Sequence, residues 1–477
     1  MKRFLWLGLA LSLYLVITGC GDTFRPIIIP NPPVFPNPSA AHTVLSINDN
    51  GTIVAGSAMV IDVSGDTDVS IANVGLAPVY AVQQTANVVL VANQSVNGAL
   101  SDSITKLNFS STTISSTTTI SLPPNSAPNF VAVAPSATIA YVSLPGYAPP
   151  SVGVVNTLTD SLVNTYAVGS KPDAIAVTPD NSKVYVANQG DNTVNAFTVT
   201  NTVDLTPRTI NGSSFNAPLW LSARSDSQRV YVLNGNGVVS TIDTTSTAGP
   251  DNVIDASVNV PAAAYMLYDG NLNRLYIPGG SQLTIVDVSQ SIPVVLTGGP
   301  ITACDVTLPS SSCIPTVVPS LRGSPDPCSF TSAQALTVVA VAALPDGTRA
   351  YVGAYYEDSN NNICPQVTEI NAVSNTVASS TAVPGFPDAT IQTLPGPLPD
   401  PYYVPVCATT RFRFTMAAGG DSSRVYLASC DGGMVNIIDT SSDTYALNLP
   451  APAGTRPPIP PDQQNPPQNP VFLLAGP

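Results

Sequence analysis

The chain has 477 residues, is 44% hydrophobic but only 10% charged, and carries 47 prolines, one histidine and a formal net charge of −14. An acidic chain without basic clusters is excluded as a nucleic-acid binder, because that affinity rests on Lys and Arg neutralising phosphates. A single histidine, His42, cannot build a multi-histidine copper or haem site or a Ser-His-Asp triad, so neither a cofactor nor a metal is expected.

In chain order, Lys2 and Arg3 precede an apolar run from Phe4 to Ile17, which is shorter than the ~20 residues of a membrane span. The run closes on Thr18, Gly19 and Cys20, and this arrangement resembles a bacterial lipoprotein signal. The resemblance implies removal of residues 1–19, acylation of Cys20 and attachment to the membrane through lipid. An ordinary secretory signal with an incidental cysteine is the alternative. Gly21 stands where an Asp marks inner-membrane retention in that class, which implies the outer membrane. Residues 20–41 are too rich in proline for helix or sheet and read as a semi-rigid spacer, with His42 an exposed junction residue. The body spans 42–449. Residues 450–477 form a second proline-rich tail, whose closing "VFLLAGP" is read as frayed, with addition to a sheet edge as the alternative.

The body is rich in Val, Thr, Ser, Asn and Asp and shows no long stretch of period 3.6, so it is all-β. A core of the form "VYVAN" recurs around Leu90, Tyr141, Tyr185, Tyr231, Tyr276, Tyr351 and Tyr426. The intervals begin near roughly 45 residues, the length of a four-stranded propeller blade. The unit "PDAIAVTPDNSKVYVANQGDNTV" at 172–194 resembles the YVTN-type repeat of bacterial surface and periplasmic propellers. That resemblance implies a seven-bladed β-propeller of four-stranded antiparallel blades and says little about function. Residues 42–75 lack the Tyr-Val core. They either lend strands to the last blade, the favoured reading, or form an eighth blade around Ile53.

If the innermost strand A runs from top to bottom, the short turns 178–182, 224–228, 344–348 and 419–423 lie below. The longer segments 93–103, 144–151, 297–333, 355–365 and 386–410 then lie above, which marks the top as the binding face. Cys304, Cys313, Cys328, Cys364, Cys407 and Cys430 fall in or beside these upper segments, and an even number in an exported protein suggests disulfides. The meander favours the pairs Cys304–Cys313, Cys328–Cys364 and Cys407–Cys430 among the fifteen possible for six cysteines.

Asp358, Asn360 and Asn362 alternate like calcium ligands, with Glu369 following. Ile363 replaces the turn glycine, however, and Glu369 lies in a predicted strand, so a polar surface loop is expected. Glu357, Arg411 and Arg413 are the acidic and basic groups near the top that a lactonase- or lyase-like funnel could use, though their spacing specifies nothing. Trp220 either stacks a sugar or, the favoured reading, packs between blades. The expectation is a monomeric, membrane-anchored, non-catalytic binding or scaffolding lipoprotein with an envelope protein or glycan as partner. A propeller enzyme and a surface adhesin are the alternatives.

Overall fold

A computed structural model describes residues 42–51, 54–94, 102–199, 206–210, 212–246, 251–303, 316–317, 334–358, 362–382, 386–387, 407, 412–454 and 467–476. These residues fall within one compact unit, Pro32–Pro477. They form eight antiparallel sheets whose inner strands touch their neighbours around a closed ring, so the chain is an eight-bladed β-propeller. The expected count of seven is therefore corrected, and the seven Tyr-Val repeats are blades 2–8.

Blade 1 explains the miscount. Its strands B, C and D are Thr43–Asp49, Ala55–Asp62 and Thr67–Leu76, and its innermost strand A is Asn469–Gly476 from the far end of the chain. The segment read as a frayed tail is thus a central strand, with Val471 and Leu473 buried. Strand B reads "TVLSIN" where blade 4 reads "KVYVAN", so Leu45 takes the place of the tyrosine while Asn48 keeps that of Asn188. Ile53, the expected centre of an eighth blade, lies outside the described residues.

The asparagine matters because it ends strand B under the upper face. Asn48, Asn93, Asn188 and Asn234 are fully buried, and their side-chain amides donate across the blade. Asn93 Nδ2, for instance, reaches Thr105 Oγ1 at 3.0 Å, and Asn234 Nδ2 reaches the Val238 carbonyl at 2.8 Å. A buried amide left without partners costs ~1–3 kcal/mol, so the residue fixes the loop geometry around it.

The tyrosines do equivalent work below, across blade boundaries. In blade 4, Lys183 Nζ lies 2.5 Å from Asp251 Oδ1 and the Tyr185 hydroxyl donates to Oδ2 at 2.7 Å; Asp251 leads into strand D of blade 5, Asn252–Asn259. Arg349 and Tyr351 of blade 7 both reach Asp443 of blade 8, and Arg424 and Tyr426 of blade 8 both reach Asp66 of blade 1. Arg274 of blade 6 donates to Asn375 of blade 7, and Lys106 of blade 2 pairs with Asp160 of blade 3. Asp66, Asp160, Asn375 and Asp443 occupy one position, the turn between strands C and D, at φ of 49–56°. Asp and Asn tolerate that left-handed backbone and also supply the acceptor. One residue type therefore meets both demands.

The lower A–B turns are short hairpins as expected, each braced by an aspartate that accepts from the residue two positions on, as in Asp180–Ser182 and Asp346–Thr348. The upper side departs from expectation in blade 7. There strands B and C extend to Glu357 and from Asn362, so the supposed 355–365 loop is mostly sheet. Thr316–Val317, from a segment placed above the ring, instead pairs parallel with the outer strand at Ser380–Thr381.

Outer strands share another feature. Seven of the eight described ones hold an extra residue against strand C near its start, at Val69, Ser115, Val163, Ile254, Leu296, Ala378 and Ala446, and those of blades 1 and 5 slip a second time further on. The eighth, Arg208–Ile210, is only three residues long.

Candidate functional site

Each innermost strand must descend into the channel from the top, and the sequence makes that turn in a repeated way. Ala77, Ala127, Lys171 and Ala217 adopt φ of 42–49° immediately before Pro78, Pro128, Pro172 and Pro218. Proline as the first strand residue has no N–H to satisfy. The residue two positions later is Tyr80, Phe130, Ala174 or Trp220, and Pro470 is likewise followed by Phe472.

These rings meet in the middle of the propeller. Trp220 of blade 5 lies edge-on to Tyr80 of blade 2, Phe130 of blade 3, Tyr265 of blade 6 and Phe412 of blade 8, at centroid distances of 6.3, 5.5, 4.9 and 5.9 Å. Tyr80 stacks on Phe130 at 4.1 Å, and Phe472 of blade 1 touches Tyr80 and Phe412. Six blades thus contribute to an aromatic plug in the upper channel. Trp220, 6% exposed, packs against other blades as favoured and does not stack on an open face, though its partners meet at the ring centre and not at a single blade boundary. Each edge-to-face pair adds ~0.5–1.5 kcal/mol beyond area burial.

Among the described residues, blades 4 and 7 contribute no ring to the plug. On the blade 4 side Ala174 stands in its place. On the blade 7 side stand Val338 and Val339, and there the plug leaves a cavity of about 270 Å³. Tyr265 and Phe412 wall it on the channel side, Tyr355 and Phe414 on the outer side, and Ala262, Ala264, Pro278, Cys407 and Arg413 complete it. Ala262, at φ 60°, continues the series of left-handed residues above strand A.

Among the described residues, Arg413 is the one cation on this wall. Its guanidinium lies 5.4 Å from the Tyr355 ring centroid, and Nη2 donates to Asp431 Oδ1 at 2.9 Å while Nε donates to Oδ2 at 2.5 Å. The Asp431 side chain is fully buried, so the two-point contact locks the guanidinium in place. Burial pushes the Tyr265 hydroxyl well above the ordinary phenol range, with the neighbouring Tyr80 adding to it. It is therefore a hydrogen-bonding group rather than an acid at neutral pH.

The wall is braced by the Cys407–Cys430 disulfide, Cα–Cα 5.6 Å, one of the three expected pairs. Asn469, the first residue of the C-terminal strand, donates through Nδ2 to the Cys430 carbonyl at 2.8 Å, so the brace also holds the ring closure. Cys364 is disulfide-bonded too and fully buried. Cys20, Cys304, Cys313 and Cys328 lie outside the described residues.

Of the polar groups singled out in the sequence, Arg413 lines the cavity. Glu357 is exposed at the upper end of its strand, and Arg411 and Asn360 lie outside the described residues. The suspected calcium set does not come together. Asp358 is at the top of blade 7, whereas Glu369 lies seven residues down the strand that starts at Asn362, or ~23 Å at the rise of a strand. There it faces Arg349 at 4.0 Å. His42 is exposed, as expected.

No protein-family model matches the sequence, nor does any curated protein. Solved structures do match. The dihydro-heme d1 dehydrogenase NirN in complex with DHE shares 11% identity at a TM-score of 0.52, over 93% of this chain and 78% of that one. Apo AztD from Citrobacter koseri shares 12% identity at 0.51, over 86% and 95%. A functionally unknown protein from Desulfotomaculum acetoxidans shares 11% at 0.50, over 73% and 100%. At these identities the likeness is one of fold alone.

Proposed function

We propose that this chain is a lipid-anchored, non-catalytic binding module of the bacterial cell envelope that holds an envelope protein or glycan on its upper face, at the cavity beside Arg413. The observation that supports this reading is the aromatic plug. A lactonase- or lyase-like propeller would gather titratable groups in the central funnel, and here six blades place rings there instead. The described cavity wall carries one guanidinium already matched by a buried carboxylate, an arrangement suited to orienting a neutral ligand and not to moving a proton. The YVTN-type repeat, the acylated Cys20 and an outer-membrane address belong to the same proposal, with the residue 20–41 spacer holding the ring off the bilayer.

Two experiments test it. Ala264→Trp fills the cavity from an exposed position, so ligand captured from detergent-solubilised envelope by crosslinking should be lost with this variant while the thermal transition is kept. Turnover of a lactone panel that disappears in Arg413→Met would instead favour the enzyme. For the anchor, a fatty-acid probe should label the wild type and not Cys20→Ser; label that persists on the variant defeats the lipoprotein reading.

A further inference from the structure

We infer that the upper edge of blade 2 pairs with a second copy of this chain, the two outer strands running antiparallel about a two-fold axis at Thr119. The sheet register carries the argument. Beyond its slip at Ser115, the outer strand Thr113–Ser121 keeps six consecutive pairs with strand C, Ser116 to Ser121 against Asn108 to Ser103. The other described outer strands keep at most four in a row. Backbone groups alternate in direction along this run. Leu122 N–H donates inward to the Asp102 carbonyl, so Ser116, Thr118 and Ile120 bond strand C, and Thr117, Thr119 and Ser121 turn N–H and C=O outward. Among the described residues these outward groups have no partner, and all three residues are exposed. Below the slip the edge is already covered, because Ile114 N–H donates to Ser70 Oγ of blade 1 at 3.1 Å. On blade 7 the straight run is met by Thr316–Val317, so an outer strand of this ring does accept another strand.

Self-pairing demands more of a strand than pairing with a stranger. Identical strands crossing at a two-fold axis bring like residues together, which a charged edge cannot tolerate. Thr113–Ser121 has no charge, proline or glycine. A register centred on Thr119 sets Thr117 against Ser121 of the second copy, Thr119 against itself and Thr118 against Ile120. Such hydroxyl and β-branched pairs favour a ladder. A free peptide would surrender backbone freedom at every residue it docked, whereas a second blade 2 is already held straight by its own strand C. The rim of a ring curves away on both sides, so assembly stops at two, in place of the monomer expected from the sequence. A contact through one strand edge belongs to the small, transient class, so the pair should form and part with concentration.

Sedimentation of the full-length protein in detergent should show a dimer that grows with concentration. Thr119→Pro removes one outward N–H and no internal bond, and Thr119→Lys sets like charges face to face on the axis. Each should keep the thermal transition and weaken the dimer at least about tenfold. Thr119→Cys should give a disulfide-linked dimer on oxidation, since a residue on the axis meets its copy at ~5.5 Å between Cα atoms. Val163→Cys, on the exposed rim of blade 3, should not. A protein monomeric at every concentration overturns the inference. So does a dimer that survives both Thr119→Pro and Thr119→Lys, or crosslinking as ready through Val163→Cys as through Thr119→Cys.

Discussion

Replacing Asp251 by Ala removes the acceptor shared by Lys183 and Tyr185 at the blade 4–blade 5 boundary. The carboxylate is nearly buried, at 3% side-chain exposure, and Lys183 is 13% exposed. Breaking a buried pair from one side costs ~3–5 kcal/mol when nothing replaces it. Here Lys183 Nζ keeps the Thr244 and Ser246 carbonyls at 2.6 and 2.9 Å, which places the expected loss at the low end, about 3 kcal/mol. Tyr185→Phe forfeits only a hydrogen bond to a charged group, about 1.5–3 kcal/mol. Tyr231→Phe is the comparison, since that hydroxyl reaches an uncharged acceptor, the Val288 carbonyl at 3.4 Å, beside the Arg224 guanidinium, and should cost ~1 kcal/mol. Urea unfolding at pH 7 would read the order Asp251→Ala, Tyr185→Phe, Tyr231→Phe as rising midpoints, all below wild type, at constant slope. Tyr185→Phe should also cost less than half as much in the Asp251→Ala background, because the bond it removes is already gone. If Tyr231→Phe proves as costly as Tyr185→Phe, or the two losses at the shared site simply add, the tyrosine–aspartate contact does not hold the blades together.

Alkaline pH should unfold the ring. Burial pushes Tyr141 and Tyr231 up to about 12, and burial with an aspartate acceptor pushes Tyr185, Tyr351 and Tyr426 higher still. Unfolded tyrosines lose protons near ~10 that these keep, so their contribution is complete below pH ~10 and falls above it by about 1.4 kcal/mol per pH unit per tyrosine. A stability profile flat from pH 9 to 11 contradicts this. Trp220→Ala should cost about 3–5 kcal/mol by opening a cavity in the plug, read in thermal melts. A chain ending at Gly454 lacks strand A of blade 1 and should lose its cooperative transition by circular dichroism; adding a peptide of residues 467–477 should restore part of it. Reduction of Cys407–Cys430 should expose the upper segments of blade 8 to protease before any lower turn, as peptide mapping would report.

The blades with tyrosine on strand B could be read from the sequence because the Tyr-Val core repeats with the blade; in blades 4, 7 and 8 the Lys or Arg two residues before it also shares the tyrosine's acceptor. Blade 1 could not be read the same way. Leu45 has no hydroxyl to place, and strand A of that blade is supplied by Asn469–Gly476, at the other end of the chain, so no local pattern reports the pairing. Two signals in the sequence do mark it: the buried asparagine ending "VLSIN" and "VYVAN" alike, and the Asp-Thr, Asp-Ser and Asn-Thr dipeptides at the C–D turns, Asp66 among them. The plug was partly legible as proline followed two residues later by an aromatic, at Tyr80, Phe130, Trp220 and Phe472. What hid the cavity is that it forms where the series fails, at Val338 and Val339, and an absence from a pattern shows only once the ring is closed. Cys407–Cys430 was accessible because both cysteines flank the same upper corner of one blade.

The extra residue in the outer strands decides how such a disc behaves in company. Each blade turns a row of unpaired backbone groups outward, and a molecule with eight such sides could grow edge to edge into a raft wherever its copies are crowded. Inserting one residue part-way along throws the exposed donors and acceptors out of phase with any straight strand that approaches, so a ladder begun on one side of the slip cannot cross it. Val69, Val163, Ile254 and Leu296, 37–47% exposed, sit at the slip itself, where side chains that would otherwise invite pairing occupy the one place pairing cannot continue. Blade 7 carries the slip too, at Ala378, and its rim is joined by Thr316–Val317 only beside it, at Ser380–Thr381. The rim is in effect a set of chain terminators: apart from the straight edge of blade 2, it leaves the upper face as the surface through which contact with other molecules can be specific.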